Sequence, residues 1–323
     1  MATGTDKLVT VFGGSGFIGR HVVRALAKRG WRVRVAVRRP DLAGHVQPLG
    51  AVGQIMPVQA NLRYRWSVDR AVEGADAAVN LVGILSESGR QNFNALHDFG
   101  ARAVAEATRA AGIPVLVHQS ALGADPKSES AYARSKAKGE AAVLETVPNA
   151  VIIRPSIVFG PEDSFFNRFG SLARLSPFLP LIGGGETKLQ PVFVGDVAEA
   201  IARAVEGQLA GGTVYELGGP EVKTFRGCME LLLAEIERSP LLVPVSWSVA
   251  HYGAVVAQML PKPLLTVDQV RLLKHDNIVS TEAETQGRTL DGIGIVPSNM
   301  AAVLPSYLQR FKPHGQFDHK RTA

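Results

Sequence analysis

Cysteine is nearly absent from this chain of 323 residues, where Cys228 stands alone. One thiol makes neither an intrachain disulfide nor a cysteine-rich metal site, and a reducing compartment follows. Histidine does not fill the gap. His21, His45, His97, His118, His251, His275, His314 and His319 are scattered, no His-Glu-x-x-His helix occurs, and no metal is expected. Positive charge is in modest excess, with 35 Lys and Arg against 29 Asp and Glu for a net +6, but no basic block is long enough to favour nucleic acid. Arg32, Arg34, Arg38 and Arg39 cluster around one predicted strand end, where a phosphorylated ligand or a solvated basic edge accounts for them equally well. Met1–Lys7 is short and polar, so neither export nor organelle import is expected.

Long hydrophobic runs are also missing, with one near-exception. Leu241–Leu260 carries no charge, yet Pro244, His251 and Gln258 argue against a bilayer span, and Pro261 and Pro263 break the segment. A buried core helix is the first expectation. A helix lying on a partner or membrane surface is the second, because Trp247 and Tyr252 suit an interface.

What the chain does have is glycine in the right place. The apolar run Leu8–Phe12 feeds into Gly13, Gly14, Ser15, Gly16, Phe17, Ile18 and Gly19, and Ile18, Val22, Val23, Leu26 and Ala27 then recur with helical spacing. A strand, a glycine turn and a helix N-terminus make a phosphate site, because unpaired backbone N–H groups and the helix dipole face an anion. Gly13 permits the turn, Gly16 admits a pyrophosphate, and Gly19 lets the helix pack on the strand. Gly30 closes the helix before a second strand, Val33–Val37, which completes a βαβ unit.

The same rhythm continues. Strands are expected at 75–82, 115–118 and 150–153 and helices at 94–111 and 131–144, followed by a strand at 190–194 and a helix at 196–204 in which Asp196 is a first-turn or capping carboxylate. Alternation of this kind predicts an α/β fold, a doubly wound parallel Rossmann sheet that binds ligands at the carboxyl ends of its strands. Residues 1–160 form this core, 188–220 return to it, and 161–187 with 221–323 form a smaller C-terminal substrate or lid region. The last dozen residues are polar and expected to fray.

Tyr132-Ala133-Arg134-Ser135-Lys136 places a phenol and an ammonium on one helical face, with Ser120 twelve residues earlier at a strand end. A lysine cation favours the phenolate of a neighbouring tyrosine and reaches ribose hydroxyls, while a serine hydroxyl holds a substrate carbonyl or alcohol. The candidate catalytic residues are therefore Ser120, Tyr132 and Lys136. After the second strand, where NAD-preferring sites place a carboxylate, the chain has Arg38 and Arg39; a guanidinium forks onto a 2′-phosphate, so NADP(H) is preferred over NAD(H).

Taken with Asn80-Leu81-Val82-Gly83, Arg154-Pro155 to Phe159-Gly160 and Lys188-Leu189-Gln190-Pro191-Val192-Phe193-Val194 with Asp196, these motifs make the chain resemble an extended or atypical short-chain dehydrogenase/reductase of the NAD(P)-dependent epimerase/dehydratase type. Within that superfamily it is most similar to the branch of the alpha-subcomplex subunit 9 of respiratory complex I and its bacterial relatives. The resemblance implies that Leu81, Val82 and Gly83, Asn61 and Leu62, and Pro155, Ser156 and Ile157 join the glycine turn in holding NAD(P)H, with Asn61 standing where relatives carry a carboxylate near the adenine. It also implies a tie to complex I or ubiquinone metabolism, and a bacterial cytoplasmic protein peripheral to the inner membrane.

Three functions follow as expectations. The first is an NADPH-dependent oxidoreductase acting on a quinone or other small molecule. The second is a non-catalytic, cofactor-bound structural or assembly subunit that docks on a membrane complex through 241–260. The third is a nucleotide-sugar epimerase or dehydratase, weakened by the missing acidic residue after the second strand.

Overall fold

A computed structural model describes residues 7–87, 89, 91–258 and 265–314. In chain order its longer strands are β1 (Leu8–Phe12), β2 (Arg32–Val37), β3 (Ile55–Gln59), β4 (Ala77–Asn80), β5 (Val115–Gln119), β6 (Val151–Pro155), β7 (Phe178–Ile182), β8 (Val214–Leu217) and β9 (Leu241–Val245). The main helices are α1 (Phe17–Lys28), α2 (Arg65–Val72), α3 (Phe99–Ala110), α4 (Ala131–Thr146), α5 (Phe166–Leu175), α6 (Val194–Val205), α7 (Phe225–Glu235) and α8 (Trp247–Ala257).

The chain forms two compact units. The first comprises Met1–Pro155, Val194–Leu217 and Ser280–Val296; the second comprises Ser156–Phe193, Gly218–Val279 and Pro297–Ala323.

In the first unit seven parallel strands run in the order β8-β6-β5-β4-β1-β2-β3. Parallel strands need helical crossovers, and helices on both faces bury nearly continuous apolar strands such as Val9, Val11 and Phe12 of β1. Strand order reverses between β1 and β4. In open sheets of this kind the crevice beyond the carboxyl ends at that reversal is where ligands bind. Asp196 lies in the first turn of α6.

Two elements of this unit carry no clear mark in the sequence. β3 is an edge strand containing Pro57, tolerated because an edge leaves one row of ladder bonds unmade. α2 is only eight residues long, too short for a convincing period. A third element is changed: the helix foreseen over 94–111 opens as a π-helical turn, Asn94–Asp98, before α3 begins.

The second unit has its own core, in which Phe159, Phe166, Leu179, Leu181, Phe225, Leu232 and Phe311 are buried. Here β7 pairs in parallel with β9, bringing Phe178 opposite Leu241.

The segment 241–260 is not the core helix that was foreseen. It divides into β9 and α8, and α8 buries only Ala250 and Ala254; Val249, Tyr252, Val255 and Val256 are exposed, the last two-thirds so (66%). The helix is largely apolar, but among the described residues it packs only through Trp247, Ala250 and Ala254, leaving its other large apolar side chains exposed. At its start the Trp247 ring lies where a Cβ on Gly183 would come within 2.1 Å of it, so that position requires glycine. Met259 and Leu260 lie outside the described residues, as do residues 315–323, most of the tail expected to fray. Among the described residues no helix is long and apolar enough to cross a membrane.

Candidate functional site

The glycine turn sits at the carboxyl end of β1. Gly13 adopts a left-handed φ of 79°, and its N–H donates to the Ala36 carbonyl on β2. A Cβ on Gly19 would lie 2.3 Å from the Gly13 carbonyl oxygen and 2.6 Å from Gly14 Cα, so α1 docks on the turn only with glycine there. Gly16 is the N-cap of α1. No side chain caps that end and its first turn holds no carboxylate, so the positive end of the helix is left for another anion.

Leu81, Val82 and Gly83 follow β4. The Leu81 backbone and Val82 side chain lie 3.2–3.3 Å from where a Gly13 Cβ would stand, so the two loops are packed together. Arg38 follows β2 directly, is exposed, and has no ion-pair partner among the described residues. Arg39 is engaged instead with Asp41 at 2.8 Å on the surface. Asn61 turns its Oδ1 toward the Arg63 N–H at 3.2 Å, and Leu62 packs against Gly100 at the start of α3.

The other half of the site is built on α4. Ser130 caps this helix by accepting from the Ala133 N–H, and the helix then presents Tyr132 and Lys136 one turn apart. Lys136 is almost fully buried (5% exposed). Its Nζ donates to the Gln119 carbonyl at 3.2 Å and lies 5.9 Å from the centre of the Tyr132 ring. A Cβ on Gly83 would sit 3.3 Å from that Nζ, so a side chain at position 83 would crowd the ammonium.

Burial pulls Lys136 down to about 8, opposed by the Glu140 carboxylate one turn further along α4. Glu140 is itself held by a two-pronged bridge from Arg154, at 2.8 and 2.6 Å. Ser120 directly follows β5, is 1% exposed, and its Oγ has no hydrogen-bond partner among the described residues.

One expectation about this pair is overturned. The lysine cation was expected to favour the phenolate, but Tyr132 is pushed up to about 12. Although part of its side chain reaches the surface, the packing around the phenol strips water from it, and that cost to the anion outweighs a cation whose nitrogen is nearly 6 Å from the ring centre. Tyr132 is therefore a neutral phenol beside a charged ammonium at neutral pH.

Ser156 and Ile157 belong to the second unit. There the Ser156 hydroxyl donates to Asn277 Oδ1 at 2.7 Å and the Ile157 N–H donates to the same oxygen at 3.2 Å, so both polar groups are already engaged.

Several residues of the site were not singled out in the sequence. His97, His118 and Phe93 surround the reactive end: His118 takes a hydrogen bond from Asn80 across β4 and β5, and Phe93 stacks on His97. Both imidazoles are held neutral, near 3, chiefly by burial and also by the Lys136 charge. Scattered spacing hides them, because strand pairing and one π turn bring them together.

An uncapped helix end beyond a left-handed glycine, an orphaned buried hydroxyl and a glycine facing the lysine ammonium together fit a dinucleotide. The fold and these residues define a Rossmann-type protein of the short-chain dehydrogenase/reductase class. More narrowly, the chain belongs to the NAD dependent epimerase/dehydratase family, whose model matches residues 9–218.

It is similar to the mitochondrial NADH dehydrogenase [ubiquinone] 1 alpha subcomplex subunit 9 of Arabidopsis thaliana, with 33% identity over 320 residues covering 95% of this chain and 79% of that protein. It is also similar to a ceramide reductase of Caulobacter vibrioides, 39% identical over 182 residues and 56% of each chain. It shares its fold with the NADPH complex of the Escherichia coli quinone oxidoreductase QOR2, at a TM-score of 0.71 and 20% identity over 91% of this chain and 97% of that one.

Proposed function

We propose that this protein is an NADPH-dependent reductase of a carbonyl group carried by a lipid-like molecule or a quinone. The observation that carries the proposal is the protonation state at α4: a neutral Tyr132 phenol beside a cationic Lys136 and an unpartnered Ser120 hydroxyl. At neutral pH the phenol carries its proton, so it enters the reaction in the form that a carbonyl reduction needs.

A bound NADPH would supply the hydride. Ser120 donates a hydrogen bond to the substrate oxygen, and Tyr132 delivers its proton there as the carbonyl carbon takes the hydride. One hydride and one proton convert a ketone to an alcohol, or a quinone to a hydroquinone. Lys136 stabilises the tyrosinate left behind until water reprotonates it.

Arg38 supports NADPH over NADH. It stands exposed directly after β2, where a guanidinium would fork onto a 2′-phosphate and a carboxylate would repel it. The lipid-like substrate class draws on relatives whose names include ubiquinone and ceramide.

The test is single-turnover and steady-state NADPH oxidation against a panel of isoprenoid quinones and long-chain ketones. Tyr132→Phe is expected to lower turnover about 1,000-fold, within the usual range for lost acid catalysis, and to leave NADPH affinity unchanged. Full turnover in that variant sinks the proposal.

A second function is favoured by one observation, the exposed apolar surface of α8. In it the protein is a nucleotide-bound subunit of a complex I-like assembly at the membrane surface, stabilised by its nucleotide. Co-purification with respiratory proteins from native membranes, together with wild-type assembly in the Tyr132→Phe strain, would favour this function over catalysis.

A further inference from the structure

The π turn Asn94–Asp98 inserts a wide turn just before α3, a feature that recurs where a protein re-aims a side chain. The residue it turns inward is His97, only 2% exposed. Its Nε2 is 3.0 Å from the Ile84 N–H, and its Nδ1 is 2.8 Å from Ser135 Oγ. A backbone N–H can only donate, so Nε2 is the acceptor and the ring proton resides on Nδ1. Nδ1–H then donates to Ser135 Oγ, whose own proton goes to the Tyr132 carbonyl at 2.7 Å. Every hydrogen-bonding group in this chain of contacts is satisfied by one tautomer.

The rest of the pocket enforces the arrangement. The His97 ring lies edge-on to Tyr132 with centroids 5.5 Å apart, and Phe93 stacks on His97 at 5.5 Å and 22° while meeting Tyr132 edge-on at 5.8 Å. A Cβ on Gly139 of α4 would fall 2.1 Å from the His97 carbonyl oxygen, so the helix approaches the π turn as closely as backbone permits. Ile84 immediately follows Gly83, the residue facing the Lys136 ammonium.

We propose that His97 is a positioning residue that joins the nucleotide-side loop after β4 to the first turn of α4, fixing Tyr132 and Lys136 relative to the bound dinucleotide. One ring nitrogen serves each partner. His97 neither touches the reacting atoms nor donates the catalytic proton; it acts through Ser135 and through the Ile84 backbone. The catalytic half of this inference rests on the reductase function, while the structural half stands without it.

The two nitrogens can be tested separately. His97→Asn keeps a donor near the Nδ1 position and removes the acceptor for Ile84; His97→Gln keeps an acceptor near Nε2 and removes the donor to Ser135. His97→Asn is expected to weaken NADPH binding about 10-fold by freeing the loop, with little change in kcat. His97→Gln and Ser135→Ala are expected to leave the NADPH Kd within about twofold and to lower kcat about 10-fold to 100-fold, as small misplacements of reacting groups do. Thermal melts establish that each variant folds.

Nitrogen NMR of the wild-type ring should show a neutral Nδ1–H imidazole from pH 5 to 8, a readout needing no substrate. An Nε2–H ring overturns the proposal. So do Asn and Gln variants that behave alike in both Kd and kcat, or that change only the melting temperature. If wild-type protein reduces nothing in the panel, the reductase function fails, and the affinity and NMR results still decide the loop-to-helix link.

Discussion

The glycine turn and the α4 pocket are both ends of one candidate site, yet they are built from opposite materials. Around Gly13–Gly19 the working groups are backbone amides and an exposed arginine, set by φ angles and close packing of main chain. Around Tyr132 they are side chains enclosed by other side chains, with a buried lysine, two neutral imidazoles and an orphaned hydroxyl. The glycine turn leaves an uncapped helix end where an anion would be favoured. Around Tyr132 and Lys136 the surrounding side chains strip water from the ionisable groups, which strengthens electrostatic interactions there.

The largest way to break the phosphate end is to add one carbon. Gly19→Ala places a Cβ 2.3 Å from the Gly13 carbonyl, a clash with backbone that cannot rotate away. It is expected to cost about 3 kcal/mol in stability and to abolish nucleotide binding. Chemical denaturation and fluorescence titration with NADPH check both, and a normal NADPH affinity would refute the close packing.

The reactive end is sharpened by pH. Lys136 loses its proton at about 8 in the folded chain against an ordinary 10.5 when unfolded. Between those values the unfolded chain binds more protons, so stability rises with pH across that window, by an amount on the order of 3 kcal/mol from a shift this large. In the proposed reductase, turnover is expected to move the other way, falling above pH 8 as the Lys136 cation is lost. Urea melts at pH 7.5 and 10 should show the gain, and Lys136→Met should flatten it.

The smallest effects separate the two arginines. Arg38→Ala is expected to weaken NADPH binding about 10-fold, with steeper loss at low salt, and to leave NADH binding unchanged. Arg39→Ala should change either affinity less than twofold, because its guanidinium is already paired with Asp41 at the surface. Equal losses in both variants would remove the distinction between a phosphate ligand and a surface ion pair.

Much of the phosphate end was legible in the chain because it is local. Three glycines at 13, 16 and 19 carry their geometric reasons with them, and Arg38 is placed by counting from the end of β2. Part of the reactive end was equally legible, since four residues of helix put Tyr132 and Lys136 together. Their ionisation was not. Sequence proximity suggested a phenolate, but the outcome depends on desolvation by what packs around the pair, and the rings against Tyr132, Phe93 and His97, lie more than thirty residues earlier in the chain. The apolar stretch 241–260 misled for a related reason: hydrophobic composition favours burial without guaranteeing a partner, and among the described residues α8 packs only through Trp247, Ala250 and Ala254.

The sequence by itself determined the alternation of strand and helix, the glycine turn and the positions of Ser120, Tyr132, Lys136 and Arg38, because each follows from backbone conformation or short-range spacing. Tertiary structure alone decided that Tyr132 keeps its proton, that Lys136 is held near the edge of losing its own, and that His97 stands between Ile84 and Ser135. Burial and long-range hydrogen bonds are properties of what packs around a residue, and those neighbours come from segments that only the folded chain brings together.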